Sequence, residues 1–401
     1  MIIREKYLSK IRPFYDIDLI KVITGIRRCG KSVILKQIIL ELKNMGIKDE
    51  NIININLELK QFSFIKTDDD LYDYIKKLMK NDKKYYIFID EISRIEKWEL
   101  AINSFKAEYG KNISIFITGS NSDLLSGELA THIAGRYVSF AIEPFTFAEV
   151  CILKGITDRT KYELLELFND YLIWGGMPQR FDMNGEEQTI NYLTDVYNSI
   201  VVKDIIERFK IKDIDLFNRI VEYIITTPAQ TFSTESLANY FLSDDRNVSK
   251  NTLYNYLEYM TKALLIHKVD RYDVRGKRIL TGKYKYYLTD LGLGQVLNIS
   301  KKMQLGAYLE NVVYNELISR GYSVNVGTLV NGEVDFIATK SKEKIYFQVV
   351  YQLNDENMER EFGVYNNIDD NYPKYVISTD TLDLSQNGVI HKNIIDWLLE
   401  R

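Results

Sequence analysis

Eight residues, GIRRCGKS (Gly25 to Ser32), stand between the apolar run LIKVIT and the helix-patterned stretch VILKQIILELKNMG. They fit G-x-x-x-x-G-K-[ST], in which glycines let the backbone curl its N–H groups around phosphate oxygens while the following helix points its positive end at them. This ties the start of the chain to a strand, a phosphate-sized loop and a helix. Gly25, Ile26, Arg27, Arg28, Cys29 and Gly30 would form the cradle, with Lys31 bridging phosphates and the Ser32 hydroxyl offered to Mg²⁺.

From residue 17 to about 145 the same rhythm continues. The apolar runs LIKVITGI, IININLE, YYIFIDEI, ISIFITGS and YVSFAIEP alternate with amphipathic stretches from Lys31, near DDLYDYIKKLMK, near WELAINSFKAEYG and near DLLSGELATHIA. Alternation of this kind predicts a parallel sheet with helices on both faces. YYIFIDEI is an apolar strand ending in Asp90 and Glu91, which places one carboxylate on the hydration shell of Mg²⁺ and a second where it can polarise an attacking water. Two motifs in this order point to ATP with Mg²⁺.

Composition narrows the partners. The chain has 401 residues, enough for two to four domains, and 52 basic against 56 acidic side chains, so any nucleic-acid contact must be local. Cys29 and Cys151 are the only cysteines, which removes a disulfide framework and a zinc finger and fits a reducing cytoplasm. The first residues, MIIREKYLSKIRPFYD, lack a signal-peptide core and the apolar runs are strand-length, so no membrane segment is expected.

Helical periodicity runs from FTFAEVCILKG to about Ile225, broken by WGGMPQ, and reads as a helical lid. Residues 229 to about 295 give a helix at TESLANYF, a polar turn, a helix at SKNTLYNYLEYMTKA, and two strands around a Gly/Lys turn, the order of a winged helix. Such a domain can set a helix in the major groove and its wing on phosphates. Lys268, Arg271, Arg275, Lys277, Arg278, Lys283 and Lys285 oppose only Asp270 and Asp273 there, and Arg275, Lys277 and Arg278 are the candidate DNA contacts. A charged hairpin used for protein contacts or oligomer packing is the alternative. The last hundred residues open with the helix LGAYLENVVYNELISRG and continue with the strands YSVNVGTL, EVDFIATK and KIYFQVVYQL.

On GIRRCGKS and YYIFIDEI the chain resembles AAA+ ATPases. The resemblance implies a sensor at the end of ISIFITGSNS, with Thr118, Ser120 and Asn121 as candidates and Ser120 favoured. It implies for Arg136, in IAGRYVSF, an arginine finger reaching a neighbour's γ-phosphate, and hence a homo-oligomer; an Arg paired with a nearby acid is the alternative. GGMP is similar to the G-x-P lid motif of the signal-transducing and origin-recognition branches, whose proline, here Pro178, packs on adenine. REKYLSKI, WGGMPQ, KYYLTDLGL, GEVDFIA and FQVVYQL extend the likeness to a broad prokaryotic family of archaeal-type ATPases with a C-terminal domain of unknown function. That end of the chain looks like a PD-(D/E)XK nuclease, with Glu310, Asp335 and Gln348 in the site positions. Gln348 brings no charge, the lysine position falls on Val350, and Glu333 is expected on the opposite face unless a bulge re-aims it, which argues for a degenerate centre.

The expected architecture is α/β: an AAA+ P-loop domain over 1–150, a helical lid over 151–228, a winged helix over 229–298 and a restriction-endonuclease-like domain over 299–401. The expected function is a cytoplasmic ATPase whose hydrolysis changes the output region and acts on nucleic acid. A slow ATP-dependent switch regulating a protein partner and an ATP-driven metal-dependent nuclease are the alternatives.

Overall fold

A computed structural model describes residues 2–125, 135–156, 160–243, 248–298, 304–330 and 332–400. The chain forms two compact units, the first of residues 1–143 with 262–264 and the second of 144–261 with 265–401.

In the first unit, helix α1 (Glu5–Ile11) precedes strand β1 (Ile20–Thr24) and helix α2 (Lys31–Asn44). Then come β2 (Ile52–Asn56), α3 (Asp68–Leu78), β3 (Tyr85–Asp90), α4 (Trp98–Tyr109), β4 (Ile113–Gly119) and β5 (Tyr137–Ala141). The sheet order is β2-β3-β4-β1-β5 and every pairing is parallel, as the alternation predicts. Strands β1, β3 and β4 are buried along their whole length, which is why they read as unbroken apolar runs. Ile87, Ile89, Ile115 and Ile117 share a core with Leu71 and Ile75 of α3 and Ile102 and Phe105 of α4. Phe88 and Phe116 alternate to the other face, where their rings stack 4.6 Å apart. The helix expected near DLLSGELATHIA falls largely on 126–134, outside the described residues.

The second unit opens with α5 (Phe147–Leu153), α6 (Lys161–Trp174), α7 (Glu186–Ser199) and α8 (Ile214–Thr226), with a π-helical stretch over Ile200–Glu207 that continues α7. It continues with β6 (Thr231–Phe232), α9 (Thr234–Ser243), α10 (Lys250–Lys262), β7 (Ile266–Asp273), β8 (Arg278–Leu288) and α11 (Leu291–Asn298). The remainder is α12 (Leu305–Ser319), β9 (Ser323–Leu329), β10 (Gly332–Lys340), β11 (Glu343–Val349), α13 (Met358–Gly363), β12 (Lys374–Ser378), β13 (Ile390–Asn393) and α14 (Ile394–Leu399).

Its eight strands make one sheet in the order β13-β12-β11-β10-β9-β7-β8-β6. The helix, helix and hairpin expected over 229–298 form, but the hairpin does not end there. The last residues of β7 pair in parallel with β9, Arg271 opposite Val326 and Asp273 opposite Thr328. The boundary expected at 298/299 therefore falls inside a continuous sheet, because the outer edge of the hairpin finds its backbone partners in the next segment. Among the described residues no helix is long and apolar enough to cross a membrane.

WGGMPQ, which the sequence leaves as a helix break, is clamped in this unit to the segment that follows β8. Asp290, in YLTDLGL, accepts the Gly176 N–H at 2.7 Å and the Gly292 N–H at 2.9 Å. Arg180 Nε donates to the Gly175 carbonyl at 2.8 Å and its Nη1 to Asp170 at 3.0 Å. A Cβ on Gly176 would stand 2.1 Å from the Phe145 carbonyl oxygen, so WGGMPQ needs its second glycine for close backbone approach. Pro178 begins the short 3-10 turn Pro178–Asp182 that follows.

Candidate nucleotide site and a second acidic centre

β1 ends at Thr24 and α2 begins at Lys31, so Gly25–Gly30 form the turn between the C-terminal end of a central strand and a helix N-terminus. Helix α2 has no side-chain cap, because Gly30 stands at its N-cap; the Val33 N–H donates to the Gly30 carbonyl at 3.0 Å, and no side-chain oxygen occupies this positive helix end, which suits an anion. A Cβ on Gly25 would lie 2.3 Å from the Ile142 carbonyl oxygen and 2.7 Å from Cys29 Sγ, so this glycine lets the loop pack against the segment after β5. The Cys29 side chain fills that space; burial raises its thiol pKa, which makes it an inert packing residue.

Lys31 is 4% exposed, donates to the carbonyls of Gly25 and Ile26 at 3.1 and 3.2 Å, and lies 3.7 Å from Glu91. Asp90 ends β3, buried, and Glu91 follows it in a left-handed backbone conformation at φ 57°. Thr118 on β4 fixes both acids: its hydroxyl donates to Asp90 Oδ1 at 2.6 Å and accepts the Glu91 N–H at 2.9 Å. Burial raises the pKa of the Glu91 carboxyl, against the pull of Lys31, and the neighbouring Asp90 raises it further. The side chain that meets the acids is thus Thr118; Ser120 lies one residue beyond β4, and no described hydrogen bond links it to Asp90 or Glu91. Asn121 is buried beside it.

Arg27 Nη1 lies 3.9 Å from Glu58, which also receives Arg94 at 3.3 Å, while Arg28 is exposed in a left-handed conformation at φ 66°. Arg136 is exposed just before β5, its carbonyl accepting from the N–H of Ile20 at the start of β1. Five strand residues, about 16 Å, separate that end of β1 from the loop, so Arg136 is one strand length from the phosphate cradle of its own chain.

Arg4 is a site residue that motif reading passed over. The side chain is buried and its guanidinium donates to the carbonyls of Cys29 at 3.2 Å and Glu143 at 2.9 Å while stacking 4.5 Å over the ring of Tyr7. Tyr7 in turn accepts the Glu143 N–H at 3.1 Å. The R-x-x-Y spacing in REKYL, one helical turn, was the available signal.

In the second unit Glu310 of α12, Asp335 of β10 and Gln348 of β11 do come together. Gln348 Oε1 accepts the Asp335 N–H at 3.3 Å, and Asp335 Oδ2 accepts the Val349 N–H at 2.8 Å. Three further residues join them. Lys285 Nζ lies 3.0 Å from Glu310, 2.7 Å from Glu333 and 3.7 Å from Asp335, and the Tyr287 hydroxyl donates to Glu310 at 2.6 Å. The expectation that Glu333 faces away is corrected: residues two apart on a strand share a face, and Lys285 touches both Glu333 and Asp335 across the register shift between Val334 and Ile337. The alternation in KYKYY, which puts Lys285 and Tyr287 on one face of β8, was the signal for the other two. Burial and the adjacent Glu310 raise the pKa of Asp335 well above the carboxylate range, with Lys285 opposing them.

The same contacts revise the basic hairpin. Lys268 pairs with Glu258 at 3.3 Å, Arg271 with Glu333 at 3.8 Å, Arg278 with Asp273 at 3.8 Å, and Lys285 is spent in the acidic centre. Arg275, Lys277 and Lys283 are exposed and carry no ion pair among the described residues.

Residues 18–151 match the family described as "AAA domain", and residues 165–303 the one described as "Domain of unknown function (DUF8612)". The chain is 35% identical to an uncharacterized protein of Haemophilus influenzae, with 100% of this chain and 99% of that one aligned. It is 33% identical to uncharacterized protein MJ1544 of Methanocaldococcus jannaschii, over 86% of this chain and 78% of that one. Among solved structures it is similar to the Aeropyrum pernix ORC1 protein in complex with DNA, at 10% identity over 75% of this chain and 93% of that one, with a TM-score of 0.33, too low to argue from. With the parallel five-stranded sheet, the uncapped Gly-Lys-Ser loop and the two acids at the end of β3, the full-length relationship to the H. influenzae protein closes the case: the chain belongs to that protein's family, with an AAA+ P-loop domain at its start.

Proposed function

We propose that this protein hydrolyses ATP with Mg²⁺ at the loop Gly25–Ser32. The observation that carries the reading is the convergence of Lys31, Asp90, Glu91 and Thr118 at the ends of neighbouring strands, with Lys31 3.7 Å from Glu91 and Thr118 holding both acids. The N–H groups of the first turn of α2 and the Lys31 ammonium bind phosphate oxygens, for which Lys31 exchanges its contacts with Gly25 and Ile26. Ser32 and Asp90 would hold Mg²⁺, and both suit that ion, since one is a half-buried hydroxyl on the helix and the other a carboxylate oriented by Thr118. Bound Mg²⁺ would neutralise charge on the β- and γ-phosphates. Glu91 orients the attacking water, and burial, which raises its pKa, makes its carboxylate a better proton acceptor.

Glu91→Gln tests the assignment. Turnover should fall by about 10²-fold or more while ATP still binds; unchanged phosphate release would mean that another group positions the water.

For the client we favour nucleic acid, contacted through the exposed turn at Arg275 and Lys277 with Arg278 beside them. The ion pairs that hold Lys268, Arg271 and Lys285 favour a second reading, a slow switch acting on a protein partner. Phosphate release measured alone and with DNA, RNA or a protein fraction separates the two by which addition stimulates it. Arg136 serves in this reading as a residue offered to a second copy, and Pro178 as an adenine contact; wild-type stimulation by an Arg136→Ala, Glu91→Gln double variant would exclude the first role, and an unchanged ATP affinity in Pro178→Ala the second.

A further inference from the structure

A nuclease-like centre at Glu310, Asp335 and Gln348 implies a divalent cation, and the residues present do not fit one. Lys285 Nζ is within 3.7 Å of all three carboxylates of the cluster, closest to Glu333 at 2.7 Å and Glu310 at 3.0 Å, with its side chain only 7% exposed. The Glu310 oxygen that faces Lys285 also accepts from Tyr287 at 2.6 Å. Asp335 Oδ2 is taken by the Val349 N–H. Gln348, the neutral member, turns its amide oxygen to the Asp335 N–H and its amide nitrogen to Glu361 at 2.8 Å. Each group that would ligate a metal already has a partner, and the positive charge in their midst comes from the chain itself.

We infer that Lys285 is a built-in cation: its ammonium occupies the place that a divalent ion takes in a metal-dependent centre, and the second unit keeps the fold of such a centre without the metal. This goes beyond the ATPase reading and does not depend on it. The physical reason is charge balance in a dry site. Carboxylates from α12 and β10 crowded together are stable only with a cation among them. A lysine on β8, anchored in the same sheet, supplies that cation permanently and whatever the ion concentration outside. Tyr287, two residues on, completes the carboxylate of Glu310 from the same face.

The test is a Mn²⁺ titration of the full chain without nucleotide, read by the loss of the free-ion EPR signal, in wild type, Asp335→Asn, Lys285→Ala and the Lys285→Ala, Asp335→Asn double variant. Wild type and Asp335→Asn should bind Mn²⁺ alike. Lys285→Ala should gain a site, about tenfold or more tighter than anything Asp335→Asn can remove from wild type, and the double variant should lose it. Wild-type Mn²⁺ binding that disappears in Asp335→Asn would overturn the inference, as would a folded Lys285→Ala chain, judged by circular dichroism, that gains no site. If Lys285→Ala does not fold, Lys285→Gln takes its place, and the comparison of wild type with Asp335→Asn decides by itself.

Discussion

The Thr118 hydroxyl donates to Asp90 across 2.6 Å and accepts the Glu91 N–H at 2.9 Å, so one side chain on β4 orients both acids at the end of β3. Valine has the same shape without the hydroxyl. Thr118→Val should cost about 1–3 kcal/mol of stability, since it strips a buried carboxylate and a backbone N–H of their shared partner. It should slow turnover by about 10- to 100-fold through misplacement of Glu91, with ATP affinity nearly kept. Thr118→Ser should restore most of the rate, and Ser120→Ala should leave it close to wild type. Urea melts and phosphate release measure both effects; a Ser120→Ala loss as large as that of Thr118→Val would move the sensing role back to Ser120.

Arg4 holds the loop from outside. Arg4→Met keeps the apolar bulk against Tyr7 but leaves the carbonyls of Cys29 and Glu143 without their donor. The expected cost is about 2–4 kcal/mol, measured by chemical denaturation. The KM for ATP should rise more than kcat falls, because the phosphate cradle loses its fixed shape while Glu91 does not. An equal fall in kcat with KM unchanged would place Arg4 elsewhere in the cycle.

Asp290 gives the second unit a pH dependence with a definite sign. Burial pushes its pKa up to about 6 from an ordinary 3.8, against the Gly176 N–H and Arg180, which pull it down. The native state therefore holds its proton over a range where the unfolded chain has released it, and stability falls as pH rises from about 4 to about 6. The loss from this group is about 2–3 kcal/mol. Asp290→Asn does not titrate, so the difference in unfolding free energy between wild type and variant should shrink by that amount across the window and stay level above it. A difference that is flat from pH 4 to 7 would contradict the assignment.

The hairpin turn separates binding from structure. Arg275→Gln and Lys277→Gln together should leave stability within about 0.5 kcal/mol, because these side chains face solvent. If the turn holds phosphates, the same change lowers the salt slope of DNA affinity by about 2. Arg271→Gln should instead destabilise the second unit while doing little to DNA, since its partner is Glu333.

The first unit was largely legible because its signals are local. A loop of fixed spacing, an unbroken apolar strand and a carboxylate at the strand end each declare themselves within a few residues, as Lys31 and Asp90 do. The second unit was legible in its elements and not in its joins. KYVIS over Lys374–Ser378 and the four residues Ile390–Asn393 are too short for an alternation to stand out, so β12 and β13 escaped a reading based on periodicity. The pairing of β7 with β9 links residues more than fifty apart, and nothing at Arg271 or Val326 announces the other. Lys285 had the same difficulty: a lysine in a basic run looks solvated until Glu310 and Glu333 are brought to it from α12 and β10.

The unbroken sheet of the second unit also determines where it can recruit other chains. Its two margins are β13, of four residues, and β6, of two, which pairs only with Tyr284 and Lys285 of the eleven-residue β8. β13 is too short to template an added strand, whereas residues 278–283 of β8 lie beyond the reach of β6, so sheet extension on this unit is confined to the hairpin edge. Away from that edge, association of this unit with another molecule must be read by side chains on its helices and turns rather than by main-chain pairing.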